Sequence, residues 1–154
     1  MNTEVSVQLA SRAAGIPPRR KFSRWVHAAT GGAPAQLTLR VVNAAEAREL
    51  NRAYRALDYV PNVLTFAYGG EPPAADVVIC AQVAAQEARE QGKSREAHYA
   101  HLTIHGVLHA LGWDHQRAHQ ARTMEAREAA ILSTLGFADP YLSVRDVQTP
   151  PAPR

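Results

Sequence analysis

The chain is short of cysteine, lysine, aromatic residues and long apolar runs, and each scarcity removes a class of protein. With one cysteine, Cys80, no internal disulfide can form. The fold must rest on its core, and a lone thiol points to a reducing, cytoplasmic compartment. No run approaches the ~20 apolar residues of a membrane span, so no membrane partner is expected. The opening residues Met1-Asn2-Thr3-Glu4 are acidic and pass at once into an alternating pattern, which reads as no signal peptide. Aromatic residues make up 6% of the chain, whereas Ala supplies 29 of the 154 residues, so the core of large side chains is modest and helix-rich. Lysine occurs only at Lys21 and Lys93, against 15 arginines. Arginine forks suit bidentate phosphate contact, although a GC-rich genome yields the same bias. The net charge of +3 is slight support for an anionic partner. What remains, 46% hydrophobic and 20% charged over 154 residues, is a soluble globular chain long enough for one domain.

Val5, Val7 and Leu9 alternate with Ser6 and Gln8, the period of a half-buried strand. Pro17-Pro18 opens a helix with Phe22, Trp25, Val26 and Ala29 on one face, and Gly31-Gly32 closes it. Residues 37–42 read as a second strand. Asn43 with Glu46 three positions on is an N-cap pattern for a helix reaching about Arg55. Residues 63–68 and 76–80 are short β-prone runs split by Gly69-Gly70 and Pro72-Pro73. The second half is helical: residues 81–91 stopped by Gly92, a segment capped by Ser94 and ended by Gly112, and residues 118–135 with Met124, Ile131 and Leu135 on one face. The pattern predicts one α/β (α+β) domain over residues 1–138, a small sheet packed with helices. Residues 139–154, with Pro140, Pro150, Pro151 and Pro153, read as a loose tail.

The chemistry is concentrated in His105-Gly106-Val107-Leu108-His109-Ala110-Leu111-Gly112-Trp113-Asp114-His115. His105 and His109 are four apart and share a helix face. A turn at Gly112 can bring His115 to the same point. Three neutral imidazoles with a fourth position open are how a catalytic zinc is held, so one Zn2+ per chain is expected. Such an ion acidifies its bound water and polarises a phosphoryl or carbonyl oxygen. A closed structural site wants a fourth strong ligand, usually Cys, and only Cys80 exists. The spacing equals that of the zinc peptidase pattern H-E-x-x-H-x-x-G-x-x-H, but Gly106 stands where that pattern has its glutamate base. Ordinary peptidase action is therefore not expected, and the glycine is read as room beside the metal for a bulkier substrate. His98, His101, His105 and His109 form one stripe, so a His101–His105 pair is open in principle. The turn at Gly112 serves His105, His109 and His115, which leaves His27, His98, His101 and His119 to packing or the surface.

With these residues in view, the chain resembles the bacterial YbeY rRNA maturation factors, a family of single-domain, metal-dependent endoribonucleases. The family signature H-G-x-L-H-x-x-G-x-D-H is met by His105, Gly106, Leu108, His109, Gly112, Asp114 and His115. L-N-x-x-x-R-x-x-D is met by Leu50, Asn51, Arg55 and Asp58, T-D-V-L-S-F by the segment from Pro61 to Phe66, and G-D-I-x-I-C by Ala75 to Cys80. All four occur in the expected order. The resemblance implies a mixed four-stranded sheet with helices around it, zinc on His105, His109 and His115, and Arg55 as the arginine that the family needs for activity. It also implies action in maturing the 3′ end of 16S rRNA and in ribosome quality control, with the small ribosomal subunit and its assembly factors as partners. No nucleotide cofactor is expected. Asn62 stands where the family usually has Asp, which excludes a general-base carboxylate at that position; Pro61 replaces Thr and Ala75 a glycine.

The expected function is a single-strand-type, zinc-dependent endoribonuclease. Arg55 and His105 are its catalytic candidates, Arg55 steadying charge on the phosphoryl oxygens. Asp114, beside a ligand, could orient an imidazole or carry a proton; Asp58 and Asp76 are weaker candidates. Arg48, Arg52 and Arg55 recur at i, i+4 and i+7, a stripe able to follow an RNA backbone. A solvated face paired with Glu49 accounts for Arg48 and Arg52 about as well. Arg19, Arg20, Lys21 and Arg24 form a second basic cluster with the same two readings. Trp113, inside the metal loop, could stack on a base, whereas Trp25 belongs to the core. A non-catalytic RNA-binding assembly factor with a structural zinc is the alternative, and a metallopeptidase is the less favoured one.

Overall fold

The computed structural model describes residues 2–113 and 118–142. Its elements run β1 (Thr3–Leu9), α1 (Arg19–Thr30), β2 (Ala35–Val42), α2 (Ala44–Arg55), β3 (Val63–Gly69), β4 (Ala74–Cys80), α3 (Ala81–Glu90), α4 (Arg95–Ala110) and α5 (Ala118–Thr134). The strands form one mixed sheet in the order β1-β2-β4-β3. β1, β2 and β4 are parallel, and β3 returns antiparallel to β4. The expected mixed four-stranded sheet with surrounding helices is what the chain forms.

Alternation along the strands sorts two cores. Leu37, Leu39 and Val41 of β2 and Val77 and Ile79 of β4 join Phe22 and Trp25 of α1, Tyr99, Ile104 and Leu108 of α4, and Met124 and Leu132 of α5. The Phe22 ring meets Trp25 and Tyr99 edge-on at 5.3 and 5.7 Å, which fixes α1 against α4. Val42, Val78 and Cys80 face the other way, onto Leu64 and the Ala47 side of α2. Trp25 is buried, as expected. Trp113 is half-buried and packs on the main core.

The helix ends follow their local signals, with one exception. Gly31 closes α1 at φ 64°, its N–H bonded to the His27 carbonyl. The Ser94 hydroxyl accepts the Ala97 N–H at 3.0 Å and opens α4. Asn43 does stand at the N-cap of α2, but its side chain makes no capping bond. Its Oδ1 accepts from Ser11 and Gln82, while Glu46 turns to Arg40 at 2.8 and 3.1 Å. Gln82 Oε1 satisfies the Ala44 N–H instead. The capping pattern is present, yet tertiary partners take its side chains.

Attachment to the domain extends past residue 138, because the Tyr141 hydroxyl donates to Glu128 of α5. Residues 143–154, the rest of the expected tail, lie outside the described residues. Among the described residues no helix is long and apolar enough to cross a membrane.

Candidate active site

The end of α2 and the loop after it, the outer side of β3, and parts of α3 and α4 enclose an open cleft of about 880 Å³. α2 and its loop supply Tyr54, Arg55, Tyr59 and Asn62; β3 supplies Thr65 and Tyr68; α3 supplies Glu87; α4 supplies His105 and His109. The loop is pinned from beneath by the fully buried Asn51, whose Nδ2 donates to the Tyr59 carbonyl at 3.2 Å. An amide buried at that point holds the loop that follows Arg55 in place.

His105 and His109 stand one turn apart, with ring centroids 4.8 Å from each other. Their helix lies close against the sheet because residue 106 has no side chain. A Cβ there would come within 2.5 Å of Val77 Cγ1 and 3.3 Å of Val63 Cγ2. The reading of Gly106 as room beside a metal is therefore corrected: the glycine faces the sheet, and its absent side chain is what allows close packing. The Gly106 carbonyl also accepts the Thr65 hydroxyl at 3.1 Å, tying β3 to the histidine turn.

A buried carboxylate stands behind the histidines. Glu128 is completely buried in α5. Its Oε2 accepts from His105 Nδ1 at 2.9 Å, and its Oε1 accepts from His101 Nε2 at 2.8 Å and from the Tyr141 hydroxyl. Burial by itself would push this carboxyl up; the bonds from His101, His105 and Tyr141 outweigh it and hold Glu128 at about 2. His101 shifts down, because burial disfavours its charged form more than Glu128 favours it. His101 is bonded to Glu128 and does not line the cleft, whereas His105 and His109 both do.

A second pair lies in the cleft wall. Glu87 Oε1 accepts from His98 Nε2 at 2.8 Å, and Asn62 Nδ2 reaches both Glu87 oxygens at 3.3 Å. The His98 bond is the main cause of a lowered Glu87 carboxyl, which burial opposes and Asn62 assists. An aspartate at position 62 would set two carboxylates against each other, so the amide suits Glu87.

The remaining candidates are placed as follows. Arg55 lines the cleft. Arg48, on the same stripe, pairs at 2.7 Å with Asp58 rather than with Glu49, and Arg52 stands 3.9 Å from Glu49. Asp58 is held below the usual carboxylate range by that Arg48 bond. Asp76 accepts the Tyr68 hydroxyl at 2.7 Å and borders a separate groove with Glu4, Ser6 and Gln36. Lys21 of the second basic cluster pairs with Glu96. Trp113 is not among the described residues that line the cleft. Asp114 and His115 lie outside the described residues. Among the described residues no group of three His, Cys, Asp or Glu converges to hold a metal. The donor chemistry still suits a metal: two imidazoles share a cleft, and one has its other nitrogen held by a buried carboxylate.

The family model described as endoribonuclease YbeY matches residues 18–136. The chain belongs to that family. Among similar proteins, endoribonuclease YbeY of Thiobacillus denitrificans is 55% identical over 142 residues, 90% of this chain and 96% of that one. The namesake of Methylibium petroleiphilum is 54% identical over 80% of this chain and 83% of its own. The solution structure of TM1509 from Thermotoga maritima shares the fold, with a TM-score of 0.58 over 96% of this chain and 99% of that chain, at 19% identity. Among the described residues, the cleft lining takes Arg55, Pro61, Asn62, Val63, Thr65, Phe66, His105 and His109 from three of the quoted motifs.

Sequence reasoning missed Glu128, Glu87 and the tyrosines of the cleft. Glu128 had a signal: it is four residues after Met124 and three before Ile131, on the apolar stripe of α5 itself. A carboxylate on a buried stripe calls for a partner. Tyr54 near the end of α2, Tyr59 in the loop after it and Tyr68 on β3, all exposed, carried no periodic signal.

Proposed function

We propose that the chain is a zinc-dependent endoribonuclease that cuts single-stranded RNA in this cleft. Its substrate on this reading is the 3′ region of 16S rRNA, met in the cytoplasm on the small ribosomal subunit with its assembly factors. The observation that carries the reading is the union, in one cleft, of Arg55, the His105–His109 pair and three exposed tyrosines. Tyr54, Tyr59 and Tyr68 are 72%, 52% and 64% exposed. Aromatic rings left in solvent beside a guanidinium suit splayed bases with phosphates between them, whereas a duplex keeps its base faces stacked inside.

Held by His105, His109 and His115, zinc would supply a Lewis acid and a water acidified toward neutrality. The chain's own groups do the rest. Arg55 binds the scissile phosphate and steadies the negative charge that grows on its oxygens. The tyrosines seat the flanking bases and so fix which phosphate lies over the histidines. Glu87, kept ionised by His98, holds Asn62 and with it the start of β3, since Asn62 Oδ1 accepts the Val63 N–H at 2.7 Å. Gly106 speaks against the peptidase reading, because position 106 points into the sheet and has no space for a glutamate base.

The test is cleavage of an end-labelled small-subunit rRNA precursor by zinc-loaded wild type and by Arg55→Ala, with zinc content measured in both. We expect cleavage by the wild type and a loss on the order of 100-fold or more in the variant at equal zinc. Intact cellular function of Arg55→Ala with no cleavage by either protein would favour the non-catalytic assembly factor.

A further inference from the structure

We propose that Glu128 is the positioning residue of the metal centre, its buried carboxylate fixing the tautomer and ring orientation of His105. The inference rests on the reading that His105 and His109 hold a metal.

Glu128 is 0% exposed on a stripe otherwise made of Met124, Ile131 and Leu132. A carboxylate buried there is tolerated only when its oxygens are bonded. The bonds it makes divide between two tasks. Oε1 is anchored, taking the His101 Nε2–H at 2.8 Å and the Tyr141 hydroxyl. Oε2 faces His105 Nδ1 at 2.9 Å. A carboxylate accepts and does not donate, so the hydrogen of that bond sits on His105 Nδ1 and the ring's lone pair on Nε2. Nε2 is then the nitrogen with which His105 can bind a metal from the cleft side. Among the described residues, His101 Nδ1 is buried with no hydrogen-bond partner. His101 has its N–H committed to Glu128, so it serves the carboxylate and not a metal. One helix thus presents a ring to the cleft while a second helix sets that ring's protonation from behind, as outer carboxylates do for metal-binding histidines.

The experiment uses the full-length chain and zinc(II), with affinity read by competition against a chromophoric chelator. Glu128→Gln keeps the size of the side chain but offers an NH2 group where a second acceptor oxygen was. We expect zinc affinity about 10–100-fold weaker, with the visible spectrum of the cobalt(II)-substituted protein altered. Tyr141→Phe, which leaves Oε2 and His105 untouched, should weaken zinc by less than Glu128→Gln. Equal zinc affinity in wild type and a folded Glu128→Gln would overturn the positioning role alone. A wild type with no affinity for zinc would bring down the metal reading and this inference with it. Because Glu128→Gln could unfold, the metal-free wild type gives an independent measure. Nitrogen-15 spectra of His105 should show a protonated Nδ1 and an unprotonated Nε2; the opposite tautomer refutes the proposal.

Discussion

Glu87 keeps a negative charge in the wall of the cleft proposed to receive phosphate. It does so through His98, which bonds one oxygen at 2.8 Å, and Asn62, which reaches both. Its carboxyl is lowered in the folded chain from the usual 4.5, and the sign of the consequence follows. A depressed folded value adds stability above the unfolded value, and that stability is lost as pH falls through the folded one. Denaturant titrations should therefore show wild type weakening as pH drops below about 4.5, with Glu87→Gln, which has no such group, weakening less over the same window. Identical acid sensitivity of the two proteins would speak against the coupling. The tyrosines carry the other residue-scale expectation. Replacing Tyr54, Tyr59 or Tyr68 by Ala should weaken single-stranded RNA binding by about 1–3 kcal/mol for each ring that stacks on a base, read by fluorescence anisotropy. Duplex binding should change less. These rings escaped a sequence reading that weighed Trp25 and Trp113 as stacking residues, because exposure at a cleft is a property of the fold and not of residue type.

At the scale of elements, α4 is the part on which the site depends. Its histidine spacing, its Ser94 cap and its end at Gly112 were all legible in the chain, since each is a local signal of a few residues. The role of Gly106 was not, because the atoms that demand a glycine belong to β4 and β3 and lie about 30 to 40 positions earlier. On an open helix face Gly106→Ala would gain about 1 kcal/mol of helix propensity. Here its Cβ would meet Val77 Cγ1 at 2.5 Å, and Val77 is fully buried with a stiff, branched side chain. Overpacking of that kind costs about 1–3 kcal/mol, so a net loss of stability is expected by thermal or chemical denaturation. A stabilised Gly106→Ala would contradict the packing described. The capping pattern at Asn43 and Glu46 teaches the same lesson from the other side: it marked the start of α2 correctly, while Arg40, Ser11 and Gln82 took its side chains.

For the whole molecule, the residue pattern predicted a small sheet packed with helices, and the family resemblance made that sheet mixed and four-stranded, as it is. Neither could predict that loop, edge strand and two helices would meet to place Arg55, three tyrosines and two histidines around one cleft. The basic residues also acquire distinct standing only in the fold: Arg48 and Lys21 are ion-paired, whereas Arg55 opens onto the cleft. RNA affinity should fall steeply with added salt, by about 0.7 in log K per phosphate contact for each tenfold rise. Arg48→Ala should reduce it less than Arg55→Ala; a flat salt dependence would argue against phosphate contacts altogether. On the proposed function, cleavage belongs to a metal held by this chain. The most direct measurement strips the wild type with a chelator, then titrates zinc back while bound zinc and rRNA cleavage are followed in the same samples. Cleavage should vanish with the metal and return in proportion to one zinc per chain, and His109→Ala should neither hold zinc nor cut. Full cleavage by protein shown to be free of metal would rule that dependence out.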